Sequence, residues 1–201
     1  MLRCTIARMR QSGRHPEDEV KRGEGSGTGA TQGILAEVLT GGKTSRLYRT
    51  LVHERRIATD VSAAQGSREL AGWFAITATA APGHEVDELE RVIGNELAAL
   101  ADAGPETHEI ERCLTQVEAQ FVYGLQTVGG FSGRSDQLNA YNVYTGDPGF
   151  MMQDRARYQK VTADRVRDLS ATPLTARPRR VLWRAPPRPP PRSRPPPAAA
   201  R

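Results

Sequence analysis

Residues 41–61 read GGKTSRLYRTLVHERRIATDV. A Gly-Gly pair opens the stretch and the pattern then changes period twice. From about Thr44 to Glu54, the residues Leu47, Tyr48, Leu51 and Val52 recur at helical spacing, which predicts an amphipathic helix with Thr44 as its cap. From Ile57, the alternation of Ile57, Thr59, Val61 and Ala63 with Ala58, Asp60 and Ser62 predicts a strand. A turn, a helix and a strand in so short a space point to a mixed α+β domain.

The flanking sequence extends that pattern. Ile34 to Leu39 has helical spacing and ends at Gly41-Gly42. Trp73 to Ala80 is aromatic and β-branched, a second strand that pairs with the first across a turn at 66–72. Val86, Leu89, Val92, Ile93, Leu97 and Leu100 share one helix face, which Gly104-Pro105 terminates. Ile110, Leu114, Val117, Phe121, Leu125 and Val128 mark the next helix, broken at Gly129-Gly130. Helices are predicted over 135–144 and 150–159, a third begins at Thr162 with Val166 and Leu169 inward, and Arg180 to Arg184 is a last strand. The fold expected is α+β, with helices packed on one face of an antiparallel sheet. Residues 1–33 are Arg/Gly/Ser/Thr-rich without a period and read as a disordered leader or linker; 34–185 is the domain; 186–201 is a disordered Pro/Arg-rich tail.

Charge and composition exclude several function classes. The formal net charge is +5, yet residues 1–33 hold six Lys/Arg against four Asp/Glu and 173–201 hold eight Arg and no acid. The middle of the chain is therefore acidic, which argues against a phosphate-binding face and against nucleic acid as a partner. No apolar run is long enough to span a membrane, and no apolar segment follows the N-terminal arginines as in a signal peptide. The alternating Gly23, Gly25, Gly27 and Gly29 precede no Lys-Ser/Thr pair, so they form no phosphate loop. Cys4 and Cys113 are too few for a disulfide framework, and Cys113 is expected to be a small buried hydrophobe.

The stretch GGKTSRLYRTLV resembles a segment in the second repeat of the insulinase-like (pitrilysin) zinc metallopeptidases. GWFAITATAAPG, LAALADAGPETHEIERCLTQVEAQF, YTGDPGF and VTADRVRDLSATPL resemble four further segments of that repeat, in the same order. Gly41, Gly42, Ser45, Arg46 and Leu47 are the residues of the family motif. The resemblance implies one of two α+β repeats that close around a peptide. In that family the zinc ligands and the water-activating Glu stand in an H-x-x-E-H motif of the other repeat, with a downstream Glu. This chain has His15, His53, His84 and His108, none of them at such spacing. No metal site and no catalytic residue is expected in the chain itself, and zinc is implied only for a complete enzyme. The family's second repeat can also offer an Arg and a Tyr, seven apart, to hold substrate; those positions carry Val52 and Thr59 here. Arg46 and Tyr48 lie nearby, and Arg46 is expected to pack on the helix and form a surface salt bridge.

The resemblance therefore implies a non-catalytic portion of a zinc peptidase, inactive alone, that forms a chamber wall and helps enclose extended peptide. Its partners are a zinc-bearing peptidase repeat or subunit and the peptide substrate. The alternatives are a free-standing subunit docking on a separate zinc-bearing chain, and a binding module that uses its Pro/Arg tail.

Overall fold

The computed structural model describes residues 3–11, 28–67, 71–131, 133–171 and 180–184. Four strands, β1 (Arg3–Gln11), β2 (Ala58–Ser67), β3 (Ala71–Ala80) and β4 (Arg180–Arg184), form one sheet in the order β2-β3-β1-β4. Every neighbouring pair is antiparallel. Six α-helices are described: α1 (Thr28–Thr40), α2 (Val86–Ala103), α3 (Thr107–Gly124), α4 (Arg134–Thr145), α5 (Met151–Gln159) and α6 (Ala163–Leu169). A π-helical segment, Tyr48–Glu54, joins α1 to β2.

The sheet separates two environments. Phe74, Ile76, Ala78 and Ala80 of β3 and Val61 of β2 are buried beneath the helices. The core continues through Ile34, Val38 and Leu39 of α1, Leu47 and Leu51 of the π region, and the six predicted residues of α2, all buried. Each large side chain so removed from water contributes about 1.5–3 kcal/mol. The opposite face of the sheet carries Asp60, Ser62, Ala64, Ala75, Thr77 and Thr79, exposed or half-buried. Opposed residues of paired strands share a face, and the register Ser62↔Thr77 and Thr5↔Thr77 brings the three strands' hydroxyls together there. The Thr5 and Thr77 hydroxyls are 3.5 Å apart. Among the described elements, helices cover one face and leave the other open.

Several expectations are corrected. Residues 1–33 are not a structureless leader throughout: Arg3–Gln11 is an inner strand, and α1 begins at Thr28 rather than Ile34. Arginines at 3, 8 and 10 hide the strand period, but pairing with β3 on one side and β4 on the other supplies backbone bonds that propensity does not report. The domain consequently extends beyond 34–185 at its N-terminal side. In α1, a Cβ at Gly33 would lie 3.2 Å from the Tyr158 ring, a tight approach of helix to ring. The β2 and β3 strands run to Ser67 and from Ala71, so Gly66 and Gly72, expected in the turn, belong to the strands. α3 ends at Gly124, which leaves Leu125 and Val128 exposed beyond it rather than on its buried face. The tail 186–201 lies outside the described residues. α6, with Thr162 accepting a hydrogen bond from Arg165 N at 3.4 Å, and the strand 180–184 stand where the sequence predicts them.

Ile76 lies at the centre of the core with no exposed surface, whereas Leu138 on α4 is 49% exposed. Ile76→Ala should cost about 2–5 kcal/mol in urea unfolding, and Leu138→Ala less than about 0.5 kcal/mol.

Candidate functional site

The Gly-Gly turn is held from both sides. Gly41 N donates to Glu37 O at 2.7 Å, and Gly42 N donates to Thr40 O at 2.9 Å. Gly42 has φ 85°, a left-handed conformation that favours glycine. Its carbonyl accepts from Ser45 N at 3.3 Å and from Ser45 Oγ at 2.7 Å. Arg112 Nη1 of α3 donates to Gly41 O at 2.5 Å. Burial raises the Glu37 pKa, and the nearby Arg112 charge opposes the rise. Helical bonding begins with Arg49 N donating to Ser45 O at 2.9 Å, so Thr44, expected to cap the helix, lies in the turn instead. Ser45 and Leu47 have no exposed surface.

Arg46 departs from its expected surface role. Its Nε donates to Glu109 Oε1 at 2.8 Å and its Nη2 to Glu109 Oε2 at 2.6 Å; Nη2 also reaches Gly104 O at 3.2 Å. The two side chains are only 16% and 11% exposed. Glu109 is at the same time the N3 residue of a capping box on α3: its Oε2 accepts from Glu106 N at 2.8 Å. Burial alone would raise the Glu109 pKa. The hydrogen bonds from Arg46 and Glu106 N, with the Arg46 charge, outweigh burial and hold it below the ordinary glutamate value. The Arg46 pKa is raised, chiefly by the same hydrogen bond. The arrangement is a rigid joint between the motif helix and the α2–α3 junction.

Irregular backbone follows. Arg55 N donates to Thr50 O at 3.0 Å, the five-residue step of a π-helix. Among the described residues, Arg56 is the non-glycine residue at positive φ, 56°, and Ile57 N closes the segment on Leu51 O at 3.0 Å. The β2–β3 register then slips between Ala58 and Asp60. That bulge turns Ala58 into the core and leaves Thr59 exposed, contrary to the alternation expected from Ile57 onward. Thr59 Oγ1 donates to Thr79 O at 3.4 Å. Val52 sits on the π segment, partly buried against the core. Val52 and Thr59, the two positions marked by the family resemblance, are therefore an aliphatic side chain at the core margin and a hydroxyl on a bulge. Tyr48 also packs against the core, half-buried.

The described residues do not fit zinc. No group of three or more His, Cys, Asp or Glu that suits a metal ion is present among them. His53 is exposed on the π segment. His84 Nδ1 meets Glu88 Oε2 at 3.0 Å and His108 Nδ1 meets Glu106 Oε2 at 3.2 Å, each a two-residue surface contact. His15 lies outside the described residues. Burial pushes the Cys113 thiol up to about 11, so it stays protonated and unreactive at neutral pH. Among the described residues, no helix is long and apolar enough to cross a membrane.

Comparison with known proteins agrees with the resemblance drawn from the five segments in order along the chain. Residues 25–117 match the family model of the Peptidase M16 inactive domain. An uncharacterized zinc protease of Streptomyces coelicolor is 27% identical over 146 residues, which span 73% of this chain and 31% of that protein. This chain thus corresponds to about a third of its curated relative. The inactive peptidase domain of a Bordetella parapertussis protein named as a zinc protease superposes with TM-score 0.73 at 19% identity, covering 95% of this chain and 94% of that one. A protease of Helicobacter pylori gives TM-score 0.73 at 15% identity over 92% of this chain and 41% of its own. The fold is that of an M16 inactive domain.

Breaking the Arg46–Glu109 pair should have a defined pH signature. Because the folded-state pKa of Glu109 is depressed, the pair stabilises the fold above the unfolded glutamate pKa of about 4.3 and loses that contribution as pH falls through the folded value. Glu109→Gln should cost about 3 kcal/mol at pH 7, since it leaves a largely buried guanidinium uncompensated. The gap to the wild type should narrow as pH falls well below 4, because Glu109 then loses its own charge. Urea unfolding of both proteins across this range measures it.

Proposed function

We propose that this chain is the non-catalytic wall of an M16-type zinc peptidase, and that it encloses extended peptide against the open face of its sheet. The observation that carries the proposal is the contrast between the two faces. One is apolar and sealed by helices; the other displays Thr5, Asp60, Ser62, Thr77 and Thr79 over adjacent strands. Short side chains let a peptide backbone approach a sheet closely, and hydroxyls satisfy its amides without demanding one sequence. The zinc and its water-activating carboxylate belong in this reading to a partner repeat. Val52 and Thr59 contribute packing and enclosure, since neither carries the charge nor the phenol that would grip a reacting carbonyl.

A photo-crosslinking residue placed at Thr77, on the open face, should capture a bound peptide in the assembly with a zinc-bearing repeat. The same group at Arg91, exposed on α2, should capture little. Equal capture at both positions would refute the wall.

One observation favours docking on a separate zinc-bearing chain as the means of assembly. Residues 121–145 contain two charged residues, Arg134 and Asp136, and expose Tyr123, Val128, Phe131, Leu138, Val143 and Tyr144. α4 buries none of its residues. It is anchored through Tyr141, whose OH donates to Asp154 Oδ2 at 3.0 Å and whose ring lies 5.9 Å from that of Phe150. Charge depletion with aromatic enrichment is the composition of an interface core. Replacing Phe131, 98% exposed, together with Tyr144 by Ser should leave the melting temperature within about 2 °C and weaken association with the zinc-bearing chain at least tenfold in sedimentation or surface-capture measurements.

A further inference from the structure

Trp73 stands apart from its surroundings. It is the third residue of β3, on the open face, and is 37% exposed. The other open-face side chains described on β2 and β3 are Ala, Ser, Thr and Asp. Its partner in the register is Gly66. A Cβ at Gly66 would lie 2.5 Å from the Trp73 Nε1, 2.6 Å from Cε2 and 2.9 Å from Cζ2. The indole therefore lies directly over the Gly66 backbone, in space that any other residue would occupy. The ring packs on this glycine on one side and leaves part of its surface to solvent.

We propose that Trp73 on its Gly66 seat is a binding position for an aromatic side chain of an extended peptide lying on the open face. The inference rests on the wall reading above and adds a sequence preference to it. A partly exposed indole packed on one side offers apolar area at little further loss of rotamer freedom. Polar hydroxyls elsewhere on the face give no such preference. Trp73 lies six positions along β3 from Thr79, the residue bonded to Thr59. At about 3.4 Å per residue this is about 20 Å. A peptide that spans from the bulged end of the sheet to the indole therefore needs at least about six residues.

A seat of this kind also covers a glycine in an edge strand, which is a purely structural task. Binding data separate the two. The probe is a Thr/Ser/Ala decapeptide carrying one Phe, compared with the same peptide carrying Ala or Lys in its place. Binding to the full chain is followed by the amide shifts of Ser62 and Thr77 and by the indole N–H of Trp73. The Phe peptide should bind at least fivefold more tightly than the Ala peptide. Trp73→Ala should erase that difference, while Trp73→Phe, which keeps an aromatic ring, should keep most of it. Gly66→Ala, which evicts the ring from its seat, should reduce it. If both peptides move Ser62 and Thr77 equally, or the Lys peptide is preferred, the Trp73 proposal falls and the wall stands. If neither peptide perturbs the open face of the folded chain up to millimolar concentration, the wall reading falls with it.

Discussion

The fork of Arg46 on Glu109 is the constraint on which the rest of this domain turns. One carboxylate accepts two guanidinium hydrogen bonds and the Glu106 amide of the α3 capping box. The same guanidinium reaches the Gly104 carbonyl, which ends α2. A lysine has no planar fork and would make one of these contacts well. The joint fixes the motif helix against the α2–α3 corner, which directs Leu47 and Leu51 into the core. The exit of the π segment, and so the start of β2, follows from that orientation. A surface ion pair would contribute little; this one matters because loss of Arg46 strands a desolvated carboxylate, and loss of Glu109 strands a desolvated guanidinium together with the Glu106 amide.

Among the described elements, the sheet has one helix-covered face and one open face. β3 is paired on both sides, and β1, distant in sequence, closes the gap to β4. β2 is left at an edge, where unpaired backbone groups invite a further strand. Two features restrain it. Ala63 N donates to Thr40 Oγ1 at 2.8 Å, which spends an edge amide on the C-terminal end of α1. The bulge at Thr59 then twists the strand at its entry.

What the sequence made legible depended on the length and purity of its periods. α2 buries the six residues its pattern names, because eighteen residues of one period leave little ambiguity. The inner strand β1 escaped because its arginines interrupt the alternation, and only pairing with residues some 70 and 175 positions away makes it a strand. The capping box of α3 escaped because its cap is Glu106 rather than Ser, Thr, Asp or Asn. Arg46 was visible as a motif residue, but its partner lies 63 residues away, and no local spacing announces such a contact. The turn residues Gly41, Gly42 and Ser45 were legible for the opposite reason: their work is local. Val52 and Thr59 were marked by the family resemblance alone, and the bulge that exposes Thr59 has no signature in the alternating sequence around it.

The backbone between Tyr48 and Thr59 departs from regular geometry three times, in the π segment, at Arg56 and at the bulge. A non-glycine residue in the left-handed region costs about 1–2 kcal/mol, so surrounding contacts must hold it there. They are identifiable. Ile57 N bonds to Leu51 O, Ile57 O accepts from Ala81 N at 2.8 Å, and the Ile57 side chain is buried. None of these bonds involves the side chain of Val52 or Thr59. The course of the chain is set by backbone hydrogen bonds, by Leu51 and Ile57 in the core, and by the Arg46 joint. Residues at 52 and 59 can therefore change chemistry without redirecting the backbone that presents them. That independence is the physical reason the fold of an M16 inactive domain can be kept with an aliphatic side chain at 52 and a hydroxyl at 59.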